Sequence, residues 1–323
     1  MLKRNKKLIF FAGALLMLTL VVSACGGKQY PEKEVTFVCP WSPGGSSDLI
    51  VRTMSKIASK DFPKPFVVVN RDGANGMIAT TELSKTKPDG YTISLGTTGL
   101  FTTTPITQKN VTYKMEQFDF LVGLTNEPIV ISVPAGSPYK TLDDLIRDAK
   151  EKNFTIRYAN SGIGGVPQLA LAYLFQLSGV KSEPIPFKGS APAITAALGN
   201  HVEALACHPG EVLPHAKAGK LVPLAISSLQ RFSALPDVPT MKEKGYDVDL
   251  GVKKFIFAPK GMPDDAKKLL VEKLTKAAND PEFQKTMTDA GLMVDILNGK
   301  QLEDYIKTQY PIMKKLIESM SKK

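Results

Sequence analysis

Cysteine is scarce in this 323-residue chain: Cys25, Cys39 and Cys207 are the whole supply. That number excludes the dense disulfide framework on which small secreted domains depend. Cys39 and Cys207 leave room for one bridge, which the sequence leaves open because bridging depends on Cα separation and side-chain direction. Histidine is equally scarce, at His201, His208 and His215, and tryptophan occurs once, at Trp41. Lysine far outnumbers arginine, which argues against bidentate clamps on phosphate. The net charge is +10, but no basic run interleaved with aromatics appears, so nothing points to nucleic acid. Scattered lysines read instead as a solvated surface.

Signatures of common enzyme chemistry are missing as well. Gly44-Gly-Ser-Ser-Asp48 fails the Gly-x-Ser-x-Gly elbow at its last position. Gly162-Ile-Gly-Gly reaches Pro167 where a dinucleotide-binding turn needs its third glycine. No Gly-Lys-Ser/Thr phosphate loop occurs. A nucleophile–base pair would have to recruit one of three histidines, and nothing beside them marks a base. The histidines fall seven apart around Cys207, a spacing that would align them on one helix. However, Val202–Cys207 reads as a strand and breaks that register. The chain is expected to be no enzyme, to use no cofactor and to hold no metal. A metal-binding surface lipoprotein and a purely structural surface protein are the alternatives to a binding function.

Nor is there an apolar run long enough to span a bilayer. Leu8–Val22 is about 15 residues and follows Lys3, Arg4, Lys6 and Lys7, the layout of an export signal. Ser23 and Ala24 then precede Cys25. This pattern is similar to the lipobox of bacterial lipoproteins, which are cleaved before the cysteine and acylated on its sulfur. It implies a signal peptide over 1–24, a lipidated Cys25 and a short tether over 25–29. The mature chain of roughly 300 residues has room for two compact domains. Its net charge of about +6 favours anionic small ligands or membrane surfaces. The expected location is extracytoplasmic, lipid-anchored at a membrane; the lysine-rich composition points to a Gram-positive surface, with a Gram-negative periplasm as the alternative.

Beyond the tether the chain alternates strands with helices, which implies an α/β architecture with parallel pairing. Val35–Cys39 reads as a strand, followed by a helix from about Leu49 to Ser59. Phe66–Asn70 and Tyr91–Leu95 are further strands around a helix near Met77–Lys85. Ile129–Val133 is a strand, and Thr141 caps a helix to about Lys150, with Asp143 and Asp144 in its first turn. Thr155–Ala159, Glu183–Phe187, Val202–Cys207, Leu221–Ser227 and Lys253–Ala258 continue the strand series. Three helices begin near Pro263, Pro281 and Gln301.

Two strand-to-helix junctions carry several glycines with serine beside them: Gly44-Gly-Ser-Ser47 and Ser161-Gly-Ile-Gly-Gly165. A helix N-terminus leaves backbone N–H groups unpaired and carries a partial positive charge. Glycine lets a ligand approach that backbone, so both junctions read as anion-binding turns. Placed across a cleft, they would hold a molecule with a carboxylate at each end.

The same residues carry a family resemblance. Pro43-Gly-Gly-Ser-Ser-Asp48, Val67-Val-Val-Asn-Arg71, Lys87-Pro-Asp-Gly-Tyr91, Phe187-Lys-Gly-Ser-Ala-Pro192, Leu213-Pro-His-Ala-Lys-Ala-Gly219 and Leu235-Pro-Asp-Val-Pro-Thr240 occur in order. From Tyr30 nearly to the C-terminus, the chain resembles the extracytoplasmic solute-binding proteins of the tripartite tricarboxylate transporter family. The resemblance implies a two-lobed, periplasmic-binding-protein-like α/β fold, type II-like, closing over a small organic carboxylate. It implies lobe 1 over 30–125 plus 252–323, lobe 2 over 126–251, and crossing strands near Thr125–Ile129 and Gly251–Lys254. A membrane-embedded transporter is the implied partner, and the receptor is expected to act as a monomer.

Ligand contacts implied in the first lobe are Trp41, Pro43, Gly44, Gly45, Ser46, Ser47, Thr97 and Thr98. In the second they are Ser161, Gly162, Gly164, Gly165, Phe187, Cys207 and His208. Asp48 is expected to brace its helix, because its charge would repel an anion. Three departures from the family pattern stand out. Trp41 stands where Phe is usual and Phe187 where Tyr is usual. Cys207-His208 replaces Asp-Asn, which removes a partner for a ligand's amino group and favours a purely anionic ligand.

Overall fold

A computed structural model describes residues 30–187 and 189–321. The expected export signal, Cys25 and the expected tether lie outside the described residues. The strands form two sheets. The first has the order β11-β4-β10-β3-β1-β2, from Val35–Cys39 (β1), Phe66–Asn70 (β2), Thr92–Thr97 (β3), Phe118–Pro128 (β4), Gly251–Pro259 (β10) and Met293–Asn298 (β11). The second has the order β7-β6-β8-β5-β9, from Val130–Pro134 (β5), Ile156–Asn160 (β6), Ser182–Pro186 (β7), Ala204–Cys207 (β8) and Leu221–Ile226 (β9).

Pairing is mixed, not wholly parallel as the strand–helix alternation suggested. β1 pairs parallel with β2 and β3, and β6 with β7 and β8, each through a helical crossover. The strands that pass between lobes run the other way: β10 is antiparallel to β3 and β4, and β5 to β8 and β9. A crossover helix brings a chain back parallel; a strand that leaves one lobe and re-enters it does not obey that constraint. β4 runs through Pro128 and Ile129 directly into β5, and the chain returns along β10.

Local sequence explains the individual elements. In β1 alternate residues Val35, Phe37 and Cys39 are buried, the period-two pattern of a strand packed on one face. Helix α1 (Ser46–Ala58) turns Ile50, Val51, Met54, Ile57 and Ala58 onto the same apolar cluster. The Thr141 cap forms as the sequence suggests. Asp144 N–H donates to Thr141 Oγ1 at 3.1 Å, and Thr141 N–H donates back to Asp144 Oδ2 at 3.1 Å.

Short helices over Met77–Leu83 (α2), Gly99–Thr102 (α3) and Thr104–Thr107 (α4) flank β3 in the first lobe. Leu142–Glu151 (α5), Val166–Ser178 (α6), Ser190–Leu198 (α7) and Pro209–Lys217 (α8) cover the second sheet. Asp264–Ala278 (α9) and Pro281–Asp289 (α10) return to the first. The last helix, Gly299–Ser321 (α11), touches both lobes. Its Leu302 and Ile306 pack with Phe255 and Phe257, whereas Met313 and Leu316, past Pro311, join the core of the second sheet. Cys39 and Cys207 are free, buried thiols in two different apolar clusters.

Candidate ligand cleft

The first glycine turn sits where β1 hands over to α1. Gly44 adopts φ 87°, a left-handed conformation that glycine takes without a Cβ penalty, and its N–H donates to Asp48 Oδ2 at 3.0 Å. Gly45 is the N-cap and offers no side-chain acceptor. Helix geometry leaves the N–H groups of Ser46, Ser47 and Asp48 without intrahelical acceptors, and the first such bond is Leu49 N–H to Gly45 O. The turn is thus a set of donors in want of an acceptor.

Asp48 braces this turn from beneath. It is 5 % exposed, and it accepts from Arg52 Nε at 2.9 Å and, through Oδ1, from Asn70 Nδ2 at 2.9 Å. Asn70 Nδ2 also donates to Trp41 O at 2.9 Å, and Arg52 donates to Asn70 Oδ1 at 3.0 Å. Burial alone would push the Asp48 carboxyl up, but hydrogen bonds from Arg52, Gly44 and Asn70 outweigh it and hold the group below the usual aspartate value. Trp41 is half-buried against the first core, with its indole 3.5 Å from Asn75 Oδ1; Pro43 is exposed.

Above the turn lies a cavity of about 440 Å³ that belongs to both lobes. Gly44, Gly45 and Ser46 line one side, Glu127 on the crossing strand β4 lies between, and His208 and Gly210 line the other. Lys254 reaches from β10 to donate to Ser46 Oγ at 2.7 Å and lies 2.7 Å from Glu127 Oε1. Both members of that ion pair are almost fully buried, with side chains 5 % and 1 % exposed. His208 is the N-cap of α8. Its Nδ1 lies 3.3 Å from Pro128 O and 3.9 Å from Glu127 Oε2. Sequence reasoning passed over Lys254 and Glu127. The available signal was two lysines opening a strand that is otherwise buried and apolar, Gly251–Pro259.

Thr97 ends β3 and Thr98 caps the helix that follows; both are buried. Thr98 is stitched to the crossing strand: its N–H donates to Lys253 O at 3.0 Å, and its Oγ1 accepts from Lys253 N–H at 3.3 Å.

The second turn follows β6 and is filled differently. Gly162 N–H donates to Asn160 Oδ1 at 3.1 Å, and Gly164 N–H donates to Gln168 Oε1 at 2.6 Å. Gly165 is the N-cap of α6, again without a side-chain acceptor, and Ser161 is half-buried. Gly164, at φ 70°, presses on the other lobe: a Cβ there would lie 2.8 Å from Thr107 Oγ1. Ser161–Gly165 do not line the cavity at the first turn. Phe187 is half-buried and bonds through its N–H to Asn160 O at 2.9 Å, next to the second turn. Cys207 is 1 % exposed within an apolar cluster, where burial pushes its thiol well up. Of the Cys207–His208 pair, only His208 lines the cavity.

Among the described residues, no group of three or more His, Cys, Asp or Glu is placed to hold a metal. No described helix is long and apolar enough to cross a membrane.

Two α/β lobes joined by crossing strands, with a cavity at the junction, define the class of two-lobed solute-binding receptors. The chain belongs to one family within it: the sequence profile described as "Tripartite tricarboxylate transporter family receptor" matches residues 50–321. The periplasmic binding protein BugD is 33% identical over 90% of this chain and 99% of that one, with a TM-score of 0.80. MatC from Rhodopseudomonas palustris with bound malate (24% identical, 89% of this chain, 100% of that one, TM-score 0.77) shares the fold. So does Rpa4515 of R. palustris with adipate (23% identical, 91% and 99% covered, TM-score 0.81).

Proposed function

We propose that this receptor captures a small di- or tricarboxylate between its lobes, without chemistry, and hands it to the membrane-embedded subunits of a tripartite transporter. The observation that carries the reading is the first turn. Its unfilled N–H donors and the Lys254-bound Ser46 hydroxyl border a cavity shared by both lobes. Backbone donors at a helix N-terminus, reinforced by the dipole, suit a carboxylate. Two relatives of the same fold were found with malate and adipate, both dicarboxylates. The far carboxylate would meet the second turn through bridging water, because the Gly162 and Gly164 N–H groups are already taken.

Closure is a hinge motion about Thr125–Ile129 and Gly251–Lys254, with lobe 1 comprising 30–125 plus 252–323 and lobe 2 comprising 126–251. The only carboxylate of the hinge wall, Glu127, is already paired with Lys254, so a ligand's amino group finds no free partner there. Acylation of Cys25 would keep the receptor beside its transporter at the cell surface. A thermal-shift screen of citrate, malate, succinate, adipate, aromatic acids and amino acids tests the reading. A true ligand at a hundredfold excess over its Kd should add about 2.7 kcal/mol of stability. A broad carboxylate panel that leaves melting unchanged sinks it, and the mass of the mature N-terminus checks the anchor.

A further inference from the structure

The buried ion pair at the hinge asks for an explanation. Lys254 and Glu127 stand on adjacent strands, where β10 pairs with β4 and Val252 faces Glu127 in register. Glu127 accepts from Lys254 through both oxygens, at 2.7 and 3.0 Å, and from Thr125 Oγ1 at 3.3 Å. Apolar residues of similar volume commonly replace such a pair without loss of stability, so stability alone does not account for it.

The third bond of the ammonium does. Lys254 Nζ donates to Ser46 Oγ at 2.7 Å, on the helix end that borders the cavity. A serine hydroxyl has one proton and two lone pairs. With one lone pair taken by an ammonium, its proton cannot point toward Lys254, and Ser46 itself lines the cavity. Ser46 is thereby set as a donor, beside the N–H groups of α1.

Two of the three carboxylates on the cavity wall are paired with cations. Asp48 is paired with Arg52, Glu127 with Lys254, and Glu211 accepts from the His208 N–H at 3.1 Å. The charge that an incoming anion meets beside Ser46 therefore depends on how far Glu127 cancels Lys254.

We propose that Lys254 is a positioning residue for carboxylate capture, holding Ser46 as a donor into the cavity, and that Glu127 is its counter-charge and limits how tightly an anion is held. This rests on the carboxylate reading and assigns roles to two residues that reading does not need.

The experiment is titration calorimetry of succinate, malate and adipate into the purified protein and three variants. Glu127→Gln leaves the buried ammonium to be compensated by the anion, and Kd should fall by about tenfold. Lys254→Met leaves a bare carboxylate facing the anion, and Kd should rise by about tenfold or more. Lys254→Met with Glu127→Gln removes both charges and keeps the volumes. It should melt near wild type yet still bind more weakly, because Ser46 is no longer held.

Single variants that shift Kd in the same direction, or a double variant with wild-type affinity, would show the pair to be structural and overturn the proposal. Should either single variant fail to fold, the double variant decides by itself. A wild type that takes none of the three acids overturns the carboxylate reading and this inference together; a wild type that binds, with variants indistinguishable from it, overturns this inference alone.

Discussion

The two glycine turns look alike in sequence and are built differently. At Gly44–Ser47 one N–H is taken, that of Gly44 by Asp48, and the helix N-terminus beyond it opens on a cavity. At Ser161–Gly165 two N–H groups are already satisfied by carboxamide oxygens, from Asn160 and Gln168, and the turn abuts Thr107 of the other lobe. The first turn is thus an open donor set held by a charged brace. In the second, neutral side chains fill two loop N–H groups, and the uncapped end of α6 does not border that cavity. A pattern of glycine and serine before a helix says that N–H groups are present; it does not say whether side chains two to four residues away have filled them.

Substituting the glycines separates the two most sharply. A Cβ on Gly45 would meet only Ser42 O, at 4.0 Å, and its φ of −85° suits any residue. Gly45→Asp should therefore leave melting unchanged or raise it, because aspartate is a favoured N-cap. Its carboxylate would occupy the donors that a ligand needs and repel the ligand's own charge. We expect carboxylate affinity to fall by about a hundredfold or more, roughly 2.7 kcal/mol, with far-UV circular dichroism and melting intact. Retained affinity in Gly45→Asp would remove the first turn from the site.

Gly164 answers differently. At φ 70°, with Thr107 Oγ1 2.8 Å and Thr107 Cβ 2.9 Å from a new Cβ, even alanine is strained. Gly164→Ala should destabilise by about 1–3 kcal/mol. Part of that strain can be relieved by parting the lobes, so ligand affinity should weaken alongside melting, unlike at Gly45. Adding Thr107→Gly removes the atoms that are struck and should recover part of both. An alanine variant that melts and binds as wild type would show that the second turn does not sit against the first lobe in solution.

Much of the fold was legible because burial imposes period. Val35–Cys39 and Phe66–Asn70 are strands of the expected extent, and Thr141 is the cap that its two following aspartates announce. β4 was visible only at its crossing end, because its eleven residues Phe118–Pro128 mix buried glycine, threonine and glutamate with apolar ones. β11 was missed for a related reason: an edge strand, half-exposed throughout, lacks a clear apolar face. In the cleft, the turns and Asp48's bracing role could be read locally. The Lys254–Glu127–Ser46 set could not, because it joins residues 46, 127 and 254 through tertiary contact alone. Cys207 shows the converse: adjacent to a cavity residue in sequence, it is buried within an apolar cluster and does not line the cavity.

The braces themselves give the finest distinction. Asp48 is held below the usual aspartate value of 3.8 because its hydrogen bonds outweigh the effect of burial. A group whose folded pKa is depressed contributes stability that is present above its unfolded pKa and lost as pH falls through the folded one. The first turn should therefore be firm at neutral pH and loosen in acid, below about pH 4. Asn160 and Gln168 carry no titrating group, so the second turn should not follow. Asp48→Asn should cost about 1–3 kcal/mol at pH 7, and its deficit against wild type should shrink as the buffer drops below 3.8. Amide exchange at Gly44, corrected for the intrinsic rate, should rise in acid while that at Gly162 and Gly164 stays level. Equal loosening of both turns would mean that the charged brace is not what distinguishes them, and that the openness of the first turn has another cause.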